Sequence, residues 1–125
     1  MRVTALDHLV LTVAGLDATV AFYERIGMVC ERFGDGRLAL HFGLQKINLH
    51  LAGSEFEPHA GRPEPGSADP CLLVDEPIAE VERELVRAGI EIEVGPVERE
   101  GAQGLLDSVY VRDPDGNLIE LSHPR

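Results

Sequence analysis

The sequence has few basic residues and no long apolar run, and each shortage excludes a class of function. Only 11 Lys and Arg stand against 22 Asp and Glu, which gives a formal net charge of −11. A chain this acidic repels phosphate backbones and anionic lipid, so we expect neither nucleic acid nor a membrane surface as a partner. No apolar run approaches the length of a membrane span, and the N-terminus lacks the apolar core of a signal peptide. We therefore expect a cytoplasmic protein.

Cysteine is also scarce. Cys30 and Cys71 are the only two cysteines, and they lack the C-x-x-C spacing of metal or redox motifs. Each lies among apolar neighbours in the sequence, which predicts buried free thiols in a reducing compartment. This pattern argues against a catalytic cysteine.

What the chain does contain is an internal repeat. Its 125 residues suit a single domain, 1–125, with 44% apolar residues for a core. In module one, about 1–52, apolar periodicity and glycine punctuation predict a strand at 6–13, a helix from a capping Asp17 to Ile26, and strands at 28–33, 37–42 and 45–51. A linker rich in glycine and proline follows at about 53–67.

Module two, about 68–125, repeats this order. We expect a strand at 68–74, a helix from Pro77 to Ala88, a strand at 91–94, a loop at 95–104 and a strand at 105–112. An Asp-Pro-Asp-Gly turn then leads into the last strand. A duplicated βαβββ unit dictates the architecture. The prediction is an α+β fold in which two βαβββ modules form curved antiparallel sheets around a concave cavity.

Four side chains that can bind metal recur at the first and last strands of the two modules. Strand alternation sets His8 and His50 opposite the apolar faces of their strands, and it does the same for Asp69 and Glu120. A carboxylate such as Glu120 between buried apolar residues needs a partner or a metal. Imidazole and carboxylate donors together favour a divalent metal but do not identify it, so Ni, Co, Mn, Fe and Zn stay open.

The sequence resembles the vicinal oxygen chelate superfamily over essentially its whole length. The resemblance rests on the βαβββ duplication, on Asp7-His8 in the first strand, on Ile-Asn-Leu-His-Leu around His50, and on Asp-Pro-Asp-Gly-Asn-Leu-Ile-Glu at the end. That superfamily includes glyoxalase I, extradiol dioxygenases, thiol transferases and bleomycin-resistance proteins. Within it, the chain looks most like small bacterial glyoxalase-like proteins.

The resemblance implies a set of roles for particular residues. The metal ligands would be His8, His50 and Glu120, with Asp69 as the weakest member. Glu120 or Asp69 would be the catalytic carboxylate that moves a proton between adjacent carbons of a small substrate with vicinal oxygens. The resemblance also implies a homodimer in which ligands from the first half of one chain meet ligands from the second half of the other.

Three further residues are candidates for binding the substrate, namely Asn48, Arg37 and Tyr110. A thiol cosubstrate is compatible with a glyoxalase-type reaction, although the sequence contains no glutathione signature. The leading expectation is therefore a metal-dependent lyase or isomerase of the lactoylglutathione lyase type.

Two further functions remain open. An extradiol-type dioxygenase or a thiol transferase would use the same metal site. The dioxygenase signature, however, requires a histidine shortly before Val109, and residues 101–103 are Gly-Ala-Gln. A thiol transferase that holds a phosphonate would need more basic residues. A small-molecule binding or resistance protein would share the fold without a metal.

Overall fold

The computed structural model describes all 125 residues, and the chain divides into two compact units. Unit 1 is Met1–Gly66 and unit 2 is Ser67–Arg125. The division falls at the end of the predicted linker, in which no helix or strand forms. Each unit contains one helix and four strands in the predicted βαβββ order.

Unit 1 is a four-stranded mixed sheet with one helix. Its elements are β1 His8–Val13, α1 Leu16–Arg25, β2 Val29–Phe33, β3 Arg37–Phe42 and β4 Gln45–Leu51. The strand order is β1-β4-β3-β2, with β1 parallel to β4 and the other pairs antiparallel. The prediction of a wholly antiparallel sheet is therefore wrong at β1. The helix carries the chain to the far edge, and after two hairpins β4 returns in the direction of β1.

The two faces of this sheet differ as the alternation predicts. Leu11, Ile47 and Leu49 are buried on one face, and Phe22 and Tyr23 are the buried aromatic residues of α1. These apolar side chains form the core of unit 1. The opposite face, which we call the open face of unit 1, carries the side chains of His8, Val10 and Thr12 from β1, Lys46, Asn48 and His50 from β4, and Arg37, Ala39 and His41 from β3.

The first helix begins two residues earlier than the sequence predicts. Gly15 is the residue before the helix, and no side chain caps it. Asp17, predicted as the cap, lies in the first turn, where its negative charge complements the helix dipole. The second helix, α2 Ile78–Arg87, follows Pro77 as expected. Neither helix is long and apolar enough to cross a membrane.

Unit 2 has the same topology. Its strands are β5 Cys71–Leu73, β6 Val94–Gly101, β7 Gly104–Arg112 and β8 Leu118–Pro124, in the order β5-β8-β7-β6. β5 is parallel to β8, so this sheet is also mixed. The open face of unit 2 carries, among others, the side chains of Cys71, Leu73, Arg99, Leu106, Ser108, Tyr110, Glu120 and Ser122.

The largest difference from the sequence prediction lies at residues 91–104. We expected a strand at 91–94 and then a loop, whereas β6 runs from Val94 to Gly101 and only a tight turn separates it from β7. The register shifts between Val94 and Val97, which indicates a β-bulge. Gly95 has a φ of 109°, and a Cβ there would lie 2.5 Å from the carbonyl oxygen of Ser108. A Gly-Pro pair that reads as a loop is thus a bulge in an edge strand, where a missing N–H is tolerated.

The strand predicted at 68–74 is shorter than expected, because it covers only Cys71–Leu73. Pro70 has no N–H to donate to the ladder. The carbonyl oxygens of Ala68 and Pro70 still accept hydrogen bonds from Leu118 and Glu120. The segment that contains Asp69 therefore runs beside β8 without being a full strand.

The turn before β8 is a dense hydrogen-bonded unit. Asp113 Oδ1 accepts the backbone N–H groups of Asp115 and Asn117, each at 2.9 Å, and Gly116 has a φ of 83°. Asn117 is fully buried, donates to Asp113 Oδ2 at 2.8 Å, and accepts the Ala68 N–H at 2.8 Å. One amide thus ties the turn to the segment that leads into β5.

Replacement of Asn117 by Ala should destabilise the protein by about 3 kcal/mol, because it removes the side-chain hydrogen bonds of a fully buried amide to the Asp113 carboxylate and to the Ala68 N–H. Urea unfolding measures this change. Gln103→Ala, in the exposed turn between β6 and β7, is the control and should change the free energy of unfolding by under about 0.5 kcal/mol. Equal effects of the two variants would contradict a structural role for Asn117.

Candidate functional site

The predicted site residues are distributed over both units. Unit 1 contains His8, Arg37, Asn48 and His50, and unit 2 contains Asp69, Tyr110 and Glu120. Neither unit brings together three or more His, Cys, Asp or Glu side chains in a group that could hold a metal ion. The full ligand set of His8, His50, Asp69 and Glu120 stays a prediction.

His8 has the environment of a histidine that is ready to bind a ligand. It opens β1, and its side chain is 43% exposed. Its Nδ1 lies 2.7 Å from Asp7 Oδ1. An ionised carboxylate only accepts hydrogen bonds, so in the neutral form of the ring that binds metals Nδ1 carries the proton and Nε2 keeps its lone pair. A carboxylate that orients the ring in this way is the usual outer partner of a metal-binding histidine.

The register of β1 and β4 separates the two predicted histidine ligands. His8 pairs with Lys46, whereas His50 pairs with Thr12. Four residues along the pair correspond to about 13 Å, and strand side chains stand roughly perpendicular to the sheet. Within unit 1, therefore, the structure does not bring His8 and His50 together.

Counting from the hairpins shows which positions of the two units correspond. The first open-face pair after the hairpin is His41–Lys46 in unit 1 and Arg112–Leu118 in unit 2. The second pair is Ala39–Asn48 in unit 1 and Tyr110–Glu120 in unit 2. Glu120 therefore corresponds to Asn48. His50, which lies two residues further along β4, corresponds to Ser122.

His50 belongs instead to an aromatic and cationic cluster on the open face of unit 1. Its ring meets Phe56 edge-on, with ring centroids 5.6 Å apart, and the Arg37 guanidinium lies 4.3 Å from the Phe56 centroid. The sequence reasoning missed Phe56. An isolated aromatic residue in a glycine- and proline-rich linker was the available signal, because such a residue needs an apolar surface to cover.

The same cluster keeps His50 neutral. Burial lowers the pKa of His50, and the positive charge of Arg37 lowers it further, while Glu55 opposes this. His50 is only 6% exposed. Near neutral pH, Arg37 is thus the charged group of this cluster and His50 is an uncharged neighbour.

Asn48 contains one of the few unsatisfied polar atoms of the protein. Its Oδ1 is buried and has no hydrogen-bond partner. Such an atom in a native structure requires an explanation, since its desolvation is not compensated. A donor supplied by a ligand is one explanation.

In unit 2, Glu120 heads a small network of hydroxyl and thiol groups. Ser122 Oγ donates to Glu120 Oε1 at 3.3 Å, lies 2.7 Å from the buried Ser108 Oγ, and lies 3.3 Å from Cys71 Sγ. No Arg, Lys or His side chain pairs with Glu120. The Glu120 carboxylate therefore accepts only a long hydrogen bond from Ser122 and has no positively charged partner.

Cys71 differs from the prediction of a buried thiol. Both cysteines are free, as expected, but Cys71 is exposed on the edge strand β5. Partial burial raises the pKa of the Cys71 thiol most; the Ser122 hydrogen bond opposes this, and the charge of Glu120 adds to it. The thiol therefore keeps its proton near neutral pH.

A cavity of about 610 Å³ lies beside this network in unit 2. Its lining includes Glu120, Cys71, Leu73, Leu106 and Arg99. It combines apolar walls with a few polar groups, as small-molecule sites do.

Tyr110 flanks Glu120 across the strand pair. Arg99 Nε donates to the Tyr110 hydroxyl at 2.9 Å, so the phenol is oriented from β6. Asp69, by contrast, is exposed and lies two residues before Cys71, which is the strand partner of Glu120. The structure thus joins Tyr110 to Glu120 and leaves Asp69 at the margin.

Comparison with known proteins agrees with this architecture. A family model described as the Glyoxalase/Bleomycin resistance protein/Dioxygenase superfamily matches residues 5–121. The chain belongs to this superfamily, which is the vicinal oxygen chelate class expected from its motifs.

Individual relatives narrow the position of the chain within that class. It is 53% identical to the glyoxalase domain-containing protein RDO1 of Mycosarcoma maydis over 98% of the chain and 69% of the relative. It is 54% identical to the virulence protein STM3117 of Salmonella typhimurium over 98% of the chain and 85% of the relative. The crystal structure of STM3117 superposes on this chain with a TM-score of 0.98 at 52% identity, over 100% of each of the two chains. A lactoylglutathione lyase from Agrobacterium tumefaciens, 23% identical with a TM-score of 0.73 over 98% of this chain and 95% of its own, shares the fold.

The lowered pKa of His50 predicts a pH dependence of stability. The unfolded chain takes up a proton at this residue near the ordinary value of about 6.5, before the folded chain does. Proton uptake by the unfolded state favours unfolding, so this contribution is present above that pH and is lost as the pH falls. Between about pH 7.5 and about pH 5.5, the free energy of unfolding from urea titrations should fall less in His50→Gln than in wild type.

His59 provides the opposite control. The backbone carbonyl of Ala60 raises the pKa of His59, followed by smaller effects of Glu57 and Glu55. A raised pKa stabilises the fold at low pH, so His59→Gln should enlarge the loss over the same interval, if only slightly, because this residue is exposed. An unchanged pH profile in His50→Gln would contradict the assigned environment of His50.

Proposed function

We propose that the protein is a glyoxalase-type lyase or isomerase that acts on a small substrate with vicinal oxygens. Glu120 is the group that moves the proton. The observation that carries the proposal is the position of this carboxylate, which has no cationic partner and borders a cavity of about 610 Å³. A carboxylate paired with Arg or Lys would be a poor base, because the pair stabilises its charged form.

The neighbouring groups suit proton transfer. Glu120 takes a proton from the carbon next to the substrate carbonyl and returns it to the adjacent carbon. Ser122 holds one carboxylate oxygen through a long hydrogen bond of 3.3 Å, which orients the group without neutralising it. The Tyr110 hydroxyl, which accepts a hydrogen bond from Arg99 Nε, would donate to a substrate oxygen. Leu73 and Leu106 would supply an apolar wall of the cavity beside the carbons that react.

We propose in addition that a divalent metal is the cofactor, held in a homodimer by a histidine from the first half of one chain and by Glu120 from the second half of the other. In unit 1, His8 has its Nδ1 engaged by Asp7 and its Nε2 available. In unit 2, Glu120 supplies an unpaired carboxylate. The register separates His8 from His50, and we assign the ligand role to His8, because Asp7 orients its ring. A bound divalent ion would polarise the substrate oxygens as a Lewis acid.

A Glu120→Gln variant tests the catalytic role. With hemithioacetals of methylglyoxal and glutathione, cysteine or 2-mercaptoethanol as substrates, kcat/KM should fall by about 100-fold or more, because the amide cannot accept the proton. Thioester formation and exchange of the substrate proton with deuterated water are measured together. Glu100→Gln removes a carboxylate from the lining of the same cavity and should keep its activity.

The alternatives appear as other outcomes of the same assays. Full activity in Glu120→Gln would disprove the role of this carboxylate. A wild-type protein that binds such compounds but neither turns them over nor exchanges their proton would be a binding protein on the same fold.

Metal content is the second test. Elemental analysis of wild type should find about one divalent ion per chain, since one imidazole and one carboxylate are available as its protein donors. The ion should be lost in His8→Ala and Glu120→Gln and kept in His50→Ala, which is separated from His8 by the register. His41→Ala, on the same open face but paired with Glu31 at 3.5 Å, is the matched control. Loss of metal in His50→Ala would restore His50 to the ligand set.

A further inference from the structure

We infer that the open face of unit 1 binds the carboxylate and hydroxyl groups of a small hydroxy acid, with Arg37 holding the carboxylate and Asn48 Oδ1 accepting the hydroxyl hydrogen. This inference goes beyond the proposed function, because it assigns a separate binding site for a second chemical class of ligand. It is carried by residues of unit 1 alone, none of which takes part in the proposed proton transfer.

Arg37 is held ready to bind a carboxylate. Its guanidinium lies over the Phe56 ring, 4.3 Å from the centroid, and no carboxylate pairs with it. A stacked guanidinium covers the ring with its face and directs its N–H donors outward in its own plane. That arrangement suits a planar carboxylate, which a guanidinium can bind through two parallel hydrogen bonds.

Arg37 has an aromatic partner rather than an acidic one, although the chain is rich in acidic residues. The formal net charge is −11, and acidic residues are in twofold excess over basic ones. Arg83, Arg112 and Arg125 all pair with carboxylates. On the open face of unit 1, by contrast, Arg37 lies over Phe56, and the Lys46 ammonium lies 4.0 Å from the Phe33 centroid. Two cations without acidic partners make this face the place where an anion is attracted.

Asn48 adds the second requirement, a hydrogen-bond donor on the ligand. Its buried Oδ1 has no partner in the protein, so a ligand hydroxyl would remove an uncompensated desolvation cost.

The register places these two groups at a distance that suits a small ligand. Leu38 pairs with Leu49, so Arg37 is next in line to His50 on β4. Asn48 lies two residues from His50 on the same face, about 7 Å along the strand. A small ligand with a carboxylate and a hydroxyl would bridge the two groups along this face. His50 lines the space between them as a neutral ring.

The test uses three probes that differ by one feature each. Malate has the carboxylates and the hydroxyl, succinate lacks the hydroxyl, and malamide lacks the charge. Isothermal calorimetry with the purified full-length protein should give malate the lowest Kd, succinate a Kd several times higher, and malamide a Kd at least about tenfold higher, since a hydrogen bond to a charged group is worth about one decade or more.

Two variants assign the two features to residues. Arg37→Gln should weaken both malate and succinate by about tenfold or more, whereas Asn48→Ala should reduce malate to the affinity of succinate and leave succinate unchanged. Arg32→Gln removes the same charge from the other face of the same sheet and should change neither Kd. Thermal melting of each variant shows that it is folded.

Several results would overturn the inference. They are equal binding of malate and malamide, unchanged malate binding in Arg37→Gln, an equal loss in Arg32→Gln, and no malate binding by folded wild type. Tighter binding of inorganic phosphate than of malate would overturn the assignment to a carboxylate. Calorimetry involves no turnover, so these results are independent of Glu120. If Glu120→Gln keeps full activity while malate binding depends on Arg37, only the proposed function fails.

Discussion

The arrangement of both units depends on the parallel pairing of the first strand with the last, β1 with β4 and β5 with β8. This pairing places the first strand of each unit beside its last strand, which carries Asn48 and His50 in unit 1 and Glu120 in unit 2. Side chains alternate strictly, so a slip of one residue would exchange the buried and the open face. The pairing therefore decides that Ile47 and Leu49 join the core while Asn48 and His50 do not.

The two open faces divide the chemistry between them. Unit 2 presents a carboxylate without a counter-charge, Glu120, supported by Ser122 and bordered by a cavity. Unit 1 presents cations without acidic partners, above all Arg37 over Phe56. Neither group has an oppositely charged partner within its own unit, so each is available to a ligand.

Duplication explains why the units share a topology but not a set of side chains. Asn48 and Glu120 occupy corresponding positions, and so do His50 and Ser122. The backbone ladder and the apolar face impose the same requirements on both units. The open-face positions have no such requirement, so they are free to differ and to carry function. The superfamily membership of the chain therefore defines the fold far more closely than the reaction.

Local signals in the sequence were sufficient for the repeated βαβββ order, for most element bounds, for the turn around Asp113 and Asn117, and for the faces of His8, His50 and Glu120. These features depend on periodicity, on glycine and proline, and on turn chemistry, all of which act over a few residues. The tertiary structure alone decided the parallel pairing of β1 with β4, the bulged strand β6, and the exposure of Cys71. It also decided the separation of His8 from His50 and the contact of Phe56 with Arg37, since register and loop packing depend on residues far apart in the chain.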